Sequence, residues 1–152
     1  MEKLNLPSYD FNITQEENKK YIFDIIRKKH VILTPEEWVR QNFIHYLINE
    51  KKYQASLISV EHFFTINNLT KRCDIVLFNN NGNPLIIVEC KSPKVRITQK
   101  AFDQIARYSI KFEVELLILT NGITHFCCII DRINNTISNI SDIPEFDYFN
   151  NR

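Results

Sequence analysis

Asp74, Glu89 and Lys91 are the residues of this 152-residue chain whose types and spacing point to chemistry. Glu89 and Lys91 close an apolar run in LIIVECKSP, residues 85–93, and Asp74 sits inside another apolar run, RCDIVLF. Paired carboxylates suit Mg²⁺, which usually takes one or two of them together with water and substrate phosphate. A lysine one step beyond could polarise or deprotonate a metal-bound water, and such a site hydrolyses phosphate esters. An isolated ExK is most often a solvated surface pair, so its significance depends on what lies opposite it.

The turn between the two runs supplies that test. Asn81-Gly82 is the preferred pair for a two-residue type I′ hairpin. On that register Asn80 faces Asn83, and counting back along both strands puts Asp74 opposite Glu89 and Arg72 opposite Lys91. Facing side chains share a face, with Cβ atoms about 4.5–5.5 Å apart. Asp74, Glu89 and Lys91 would then converge at one end of one face, continued as core by Val76, Phe78, Leu85 and Ile87. A bulge near Pro84 would shift this arithmetic by one residue. Cys73 and Cys90 would meet on the other face as reduced, buried thiols.

The elements that must position these residues are legible. TPEE opens a helix, with Thr34 as cap, Pro35 at the first position and Glu37 completing a capping box. The helix should run to about Lys51, burying Trp38, Val39, Phe43, Tyr46 and Leu47. Strands follow near 56–66, at RCDIVLF and at LIIVECK. Thr98 can cap a second helix, residues 99–112, with Ala101, Phe102, Ile105 and Phe112 as its stripe. VELLILT is a strand covered on both faces, and Asn121-Gly122 leads into ITHFCCII. Residues 1–33 form an arm in which YIFDIIRKKHVIL is either extended or a short helix, and the tail from about residue 131 is weakly patterned. The expectation is one α/β domain, core about 34–130, with a mixed central sheet flanked by helices in the order α-β-β-β-α-β-β.

Bulk properties bound the rest. Net charge is +1, so DNA binding must come from local patches. The four cysteines form no CxxC pair. No stretch is apolar enough to span a bilayer, and MEKLNLPSYDF lacks a signal-peptide core. A cytoplasmic protein without membrane association is expected.

CDIVLF…PLIIVECKSP resembles the PD-(D/E)XK nuclease core. The resemblance implies a restriction-endonuclease-like fold in which Asp74 and Glu89, with the Cys90 backbone carbonyl, hold Mg²⁺ (or Mn²⁺ in its place), and Lys91 assists the attacking water. Cys73 stands where the motif has proline. QIARY is similar to the QxxxY signature and implies that Gln104 and Tyr108 join the site from one helix face. Glu37, in TPEEWVRQ, is placed like an additional metal-site acid of several branches; its capping role is the favoured reading. Residues 34–130 look most like the N-terminal nuclease domain of the type I restriction enzyme R (motor) subunit. The chain carries no GxxxxGK[ST] motif, so a stand-alone domain, a fragment or a protein with a separate motor is expected.

These readings imply a Mg²⁺-dependent DNA endonuclease of low intrinsic sequence specificity. Lys71, Arg72, Lys94, Arg96 and Lys100 would contact phosphates. Partners would be DNA, restriction-modification subunits or a motor, and a second copy is plausible because a duplex needs two cuts. The competing readings are a non-catalytic DNA-binding or assembly module and a hydrolase of another phosphate ester.

Overall fold

The structure is a computed structural model that describes residues 1–150. Three short strands, β1 (Ile13–Glu16), β2 (Lys19–Asp24) and β3 (Lys29–Ile32), precede helix α1 (Pro35–Asn49). Strands β4 (Ile58–Ile66), β5 (Leu69–Phe78) and β6 (Pro84–Cys90) follow, then α2 (Gln99–Ser109), β7 (Leu116–Thr120), β8 (His125–Asp131), β9 (Thr136–Ile140) and α3 (Asp147–Asn150). From α1 to β8 the α-helices and strands come in the expected order. The central sheet has the order β4-β5-β6-β7-β8-β9, antiparallel throughout except for the parallel pair β6–β7. It is mixed, and helices flank it.

Each helix starts where its sequence dictates. Thr34 Oγ1 accepts from Glu37 N at 3.0 Å, and Thr98 Oγ1 from Ala101 N at 3.2 Å, so both caps satisfy an orphan first-turn amide. Helix α1 lays Val39, Phe43, Ile44 and Leu47 on Ile75, Leu77, Ile86 and Val88. Helix α2 lays Phe102 and Ala106 on Val76, Ile87 and Leu117. Each such fully buried aliphatic or Phe side chain is worth about 1.5–3 kcal/mol. Ala101 is exposed, and Ala106 takes its place in the α2 stripe. Among the described residues, no helix is long and apolar enough to cross a membrane.

The β5–β6 register is the anticipated one, with Ile75 opposite Val88 and Leu77 opposite Ile86, but its origin differs. The turn has three residues between Asn79 and Asn83, with Gly82 left-handed at φ 82°. Asn79 Oδ1 accepts from Asn81 N and Asn83 N. A bulge then slips the pairing between Leu77 and Phe78. Turn and bulge each displace the register by one residue, in opposite senses. The bulge also turns Leu85 into the core under α1, whereas Val76 and Ile87 lie under α2.

A second irregularity separates the two cysteines expected to touch. Pairing between β4 and β5 skips Glu61 and Asp74, and Glu61 has φ 54°. Beyond the skip the faces exchange: Ile75 and Leu77 lie under α1, but Cys73 lies under α2. Cys90 lies in the α1 core, so Cys73 and Cys90 occupy different cores. Arg72 pairs with Phe63 rather than Lys91, which lies just beyond β6.

The segment that could have been extended or helical is β2 and β3, in a three-stranded antiparallel sheet with β1. Its inner face carries Ile22 and Asp24, both fully buried. The tail contributes β9, an edge strand that no periodicity announced. An edge strand with three of five residues exposed needs no apolar face.

Candidate active site

Asp74 lies at the skip in β5. Its Oδ2 accepts from Cys90 N at 2.7 Å, and its Oδ1 from Arg40 Nη2 at 2.9 Å. Glu89, the penultimate residue of β6, is nearby. Lys71 Nζ stands 3.0 Å from the buried Glu89 Oε1 and forms an ion pair with it. Burial pushes the Glu89 carboxyl up; Lys71 pulls it down and Asp74 pushes it up again, leaving it at about 7. Burial depresses the Lys71 ammonium, but Glu89 more than compensates and holds it above its ordinary value.

Behind Asp74 runs a buried ionic chain. Arg40 Nη1 donates to Glu37 Oε1 at 2.8 Å, and Arg27 Nη2 donates to the same oxygen at 2.9 Å. Glu37 Oε2 accepts from Gln41 Nε2 at 3.0 Å. The Glu37 carboxylate therefore does not close the capping box; the Thr34 amide bonds Ile32 O instead. Arg27 also pairs with Asp24, whose Oδ1 accepts from the amides of Ile26 and Arg27. Burial raises the Asp24 carboxyl, and the Arg27 bonds overcome it and hold the group below its ordinary value. Glu61 adds contacts of 3.4 Å to Arg27 and 3.6 Å to Arg40. Such a chain ties the N-terminal sheet and α1 to the strand that carries Asp74.

Of the residues singled out in the sequence, Asp74, Glu89 and the Cys90 backbone come together with Lys71. Lys91 follows directly; its amide bonds Thr120 O at 2.8 Å, and its side chain is exposed. Tyr108, on α2, is 45% exposed, and its ring centroid is 5.7 Å from Lys71 Nζ and 3.7 Å from Lys111 Nζ. Gln104, one turn earlier, is exposed and makes no hydrogen bond among the described residues. Arg72, Lys94, Arg96 and Lys100 are exposed. Asn121 Nδ2 donates to Val95 O at 2.9 Å and so anchors the loop that carries Lys94 and Arg96.

Arg40 and Arg27 escaped the sequence reading. A signal for Arg40 was present: Glu37, Arg40 and Gln41 share i, i+3, i+4 spacing beside the apolar stripe of α1. None existed for Arg27, whose role depends on a long-range fold.

The donors suit a hard cation. They are oxygens, one of them buried. Among the described residues no three acid, histidine or cysteine side chains group into a cage. Two carboxylates and a carbonyl fit the sparse protein ligation that Mg²⁺ accepts. A bound Mg²⁺ would supply Lewis-acid polarisation and a more acidic water.

Comparison with known proteins adds the following. A family model described as the type I restriction enzyme R protein N terminus matches residues 35–144. A solved fragment of a putative HsdR subunit of a type I restriction enzyme from Vibrio vulnificus YJ016 is similar in fold. Its TM-score is 0.53 at 19% identity, over 76% of this chain and 24% of that one. This chain therefore spans about a quarter of that structure. No curated protein matches.

Proposed function

Because the chain belongs to the family of type I restriction enzyme R protein N termini, we propose that it is a Mg²⁺-dependent DNA endonuclease domain with little intrinsic sequence specificity. One observation carries the reading: Asp74, at the skip within β5, meets Glu89, next to last in β6, so that two part-buried carboxylates stand side by side. Asp74, Glu89 and the Cys90 carbonyl hold the metal. Lys91, exposed at the strand end, orients or deprotonates the water that attacks phosphorus. Gln104 and Tyr108, on one face of α2, orient the backbone. Arg72, Lys94, Arg96 and Lys100 take phosphates on either side of the break. Glu37 acts through Arg40 rather than on the metal, since its carboxylate already accepts from Arg27, Arg40 and Gln41. Translocation, and any specificity, is supplied outside this domain.

Incubation of the protein with supercoiled plasmid and Mg²⁺, Mn²⁺ or EDTA tests this. Metal-dependent nicking that vanishes in Lys91→Ala is the expected result. Nicking that persists in EDTA, or in that variant, sinks the assignment.

A second reading is a non-catalytic DNA-binding or assembly module that keeps the nuclease fold. The ion partners that Asp74 and Glu89 already have, Arg40 and Lys71, favour it. Mn²⁺ calorimetry separates the two, because only the nuclease reading requires cation binding.

A further inference from the structure

We propose that Lys71 is a resident counter-ion of Glu89 that a divalent cation must displace, and that it is not a phosphate contact. The inference rests on the metal-site reading above and deepens it.

Lys71 reaches Glu89 because of the skip at Glu61 and Asp74. Side chains alternate along a strand. Without the skip, Lys71 would share a face with Ile75 and Leu77, under α1. The exchange of faces puts Lys71 with Cys73 on the α2 side. Ile87, two residues before Glu89, also lies there. Lys71 Nζ thus arrives 3.0 Å from Glu89 Oε1, with side-chain exposures of 19% and 14%. A lysine held so far from solvent is a poor phosphate hook, unlike Arg72 beside it, whose side chain is 55% exposed.

The pairing is tight: Lys71 Nζ lies within ion-pair range of Glu89 Oε1, and both side chains are largely shielded from solvent. Lys71 therefore supplies the positive charge at the oxygen that a cation would take. A cation that takes Oε1 brings a like charge against the ammonium, which must withdraw. The Tyr108 ring, 5.7 Å from Lys71 Nζ, already has the Lys111 ammonium 3.7 Å from its centroid, so the displaced lysine must turn towards solvent.

Calorimetric titration with Mn²⁺ in the absence of DNA tests the proposal. Lys71→Met removes the competing charge and should tighten Mn²⁺ binding on the order of tenfold or more, as expected for a near charge in a part-buried site. Lys71→Arg keeps the charge and should bind as the parent does. Lys71→Gln serves if the Met variant does not fold. In a Glu89→Gln background the gain should vanish.

Unchanged or weaker Mn²⁺ affinity in Lys71→Met overturns the proposal while leaving the metal site standing. A gain that survives Glu89→Gln overturns it too. If neither the parent nor Lys71→Met binds Mn²⁺, the metal-site reading and this inference fall together. Binding in Lys71→Met alone supports both.

Discussion

Arg40 holds Asp74 from inside the protein: Nη2 lies 2.9 Å from Asp74 Oδ1, and only 4% of the arginine is exposed. Its Nη1 donates to Glu37, so one guanidinium hydrogen-bonds two carboxylates on different elements. Arg40→Met leaves both acids in place without it, and breaking a buried pair in this way costs about 3–5 kcal/mol. Urea unfolding should show that loss. Arg40→Lys, with one point charge, should recover part of it. A shift below about 1 kcal/mol, the worth of an exposed pair, would mean that the chain of ion pairs is solvated.

Asp74→Ala should abolish nicking and also destabilise the metal-free fold by about 1–3 kcal/mol, because Arg40 and the Cys90 amide both lose an acceptor. Relief of repulsion with Glu89 acts the other way, and is outweighed. Asp74→Asn keeps an acceptor for Cys90 N and should melt closer to the parent while remaining inactive. Activity in either variant would remove Asp74 from the site.

Glu89 sets a pH dependence of known sign. Its carboxyl titrates at about 7 when folded, against 4.5 as the reference. The folded state therefore holds the proton more strongly. The stability this group contributes is full below pH 4.5 and is lost as pH rises towards 7. Unfolding free energies of metal-free protein across that window should fall more steeply in the parent than in Glu89→Gln. Parallel curves would show that Glu89 titrates normally. Mn²⁺ affinity should rise over the same range, since the cation needs the carboxylate.

Gly122→Ala should be costly for two reasons. Gly122 has φ 85°, and a Cβ there would lie 2.7 Å from Leu4 Cδ2. A loss of about 1–3 kcal/mol in melting experiments is expected. Combining it with Leu4→Ala should recover the part due to the clash, and the backbone part should remain.

The two helices that flank the sheet and the chain order of its first five strands were legible because capping residues and apolar periodicity are local signals. That Asp74 comes beside Glu89 was legible for a partly accidental reason. A two-residue turn and an unbroken ladder give the same register as the three-residue turn and bulge that exist. What escaped depends on single backbone torsions. Nothing in VEHFF marks Glu61 as left-handed, yet that residue stands where Cys73 and Cys90 part and where Lys71 gains access to Glu89. Arg27 escaped because its partners Glu37 and Glu61 are distant in sequence and meet only once β3, α1 and β4 are packed.

The parallel pair β6–β7 has a consequence for how the chain assembles. The sheet is two antiparallel meanders, β4 to β6 and β7 to β9, stitched by one crossover through α2. During synthesis from the N-terminus, the first meander is complete when residue 90 has emerged. Hairpins form from local contacts, whereas the crossover pairing needs a longer loop to close and is the slower event. Both carboxylates are then assembled on a sheet whose β6 edge is still open. Until β7 arrives, that apolar edge is a template for another nascent chain, and the interval before the seam closes is when this protein is most exposed to aggregation.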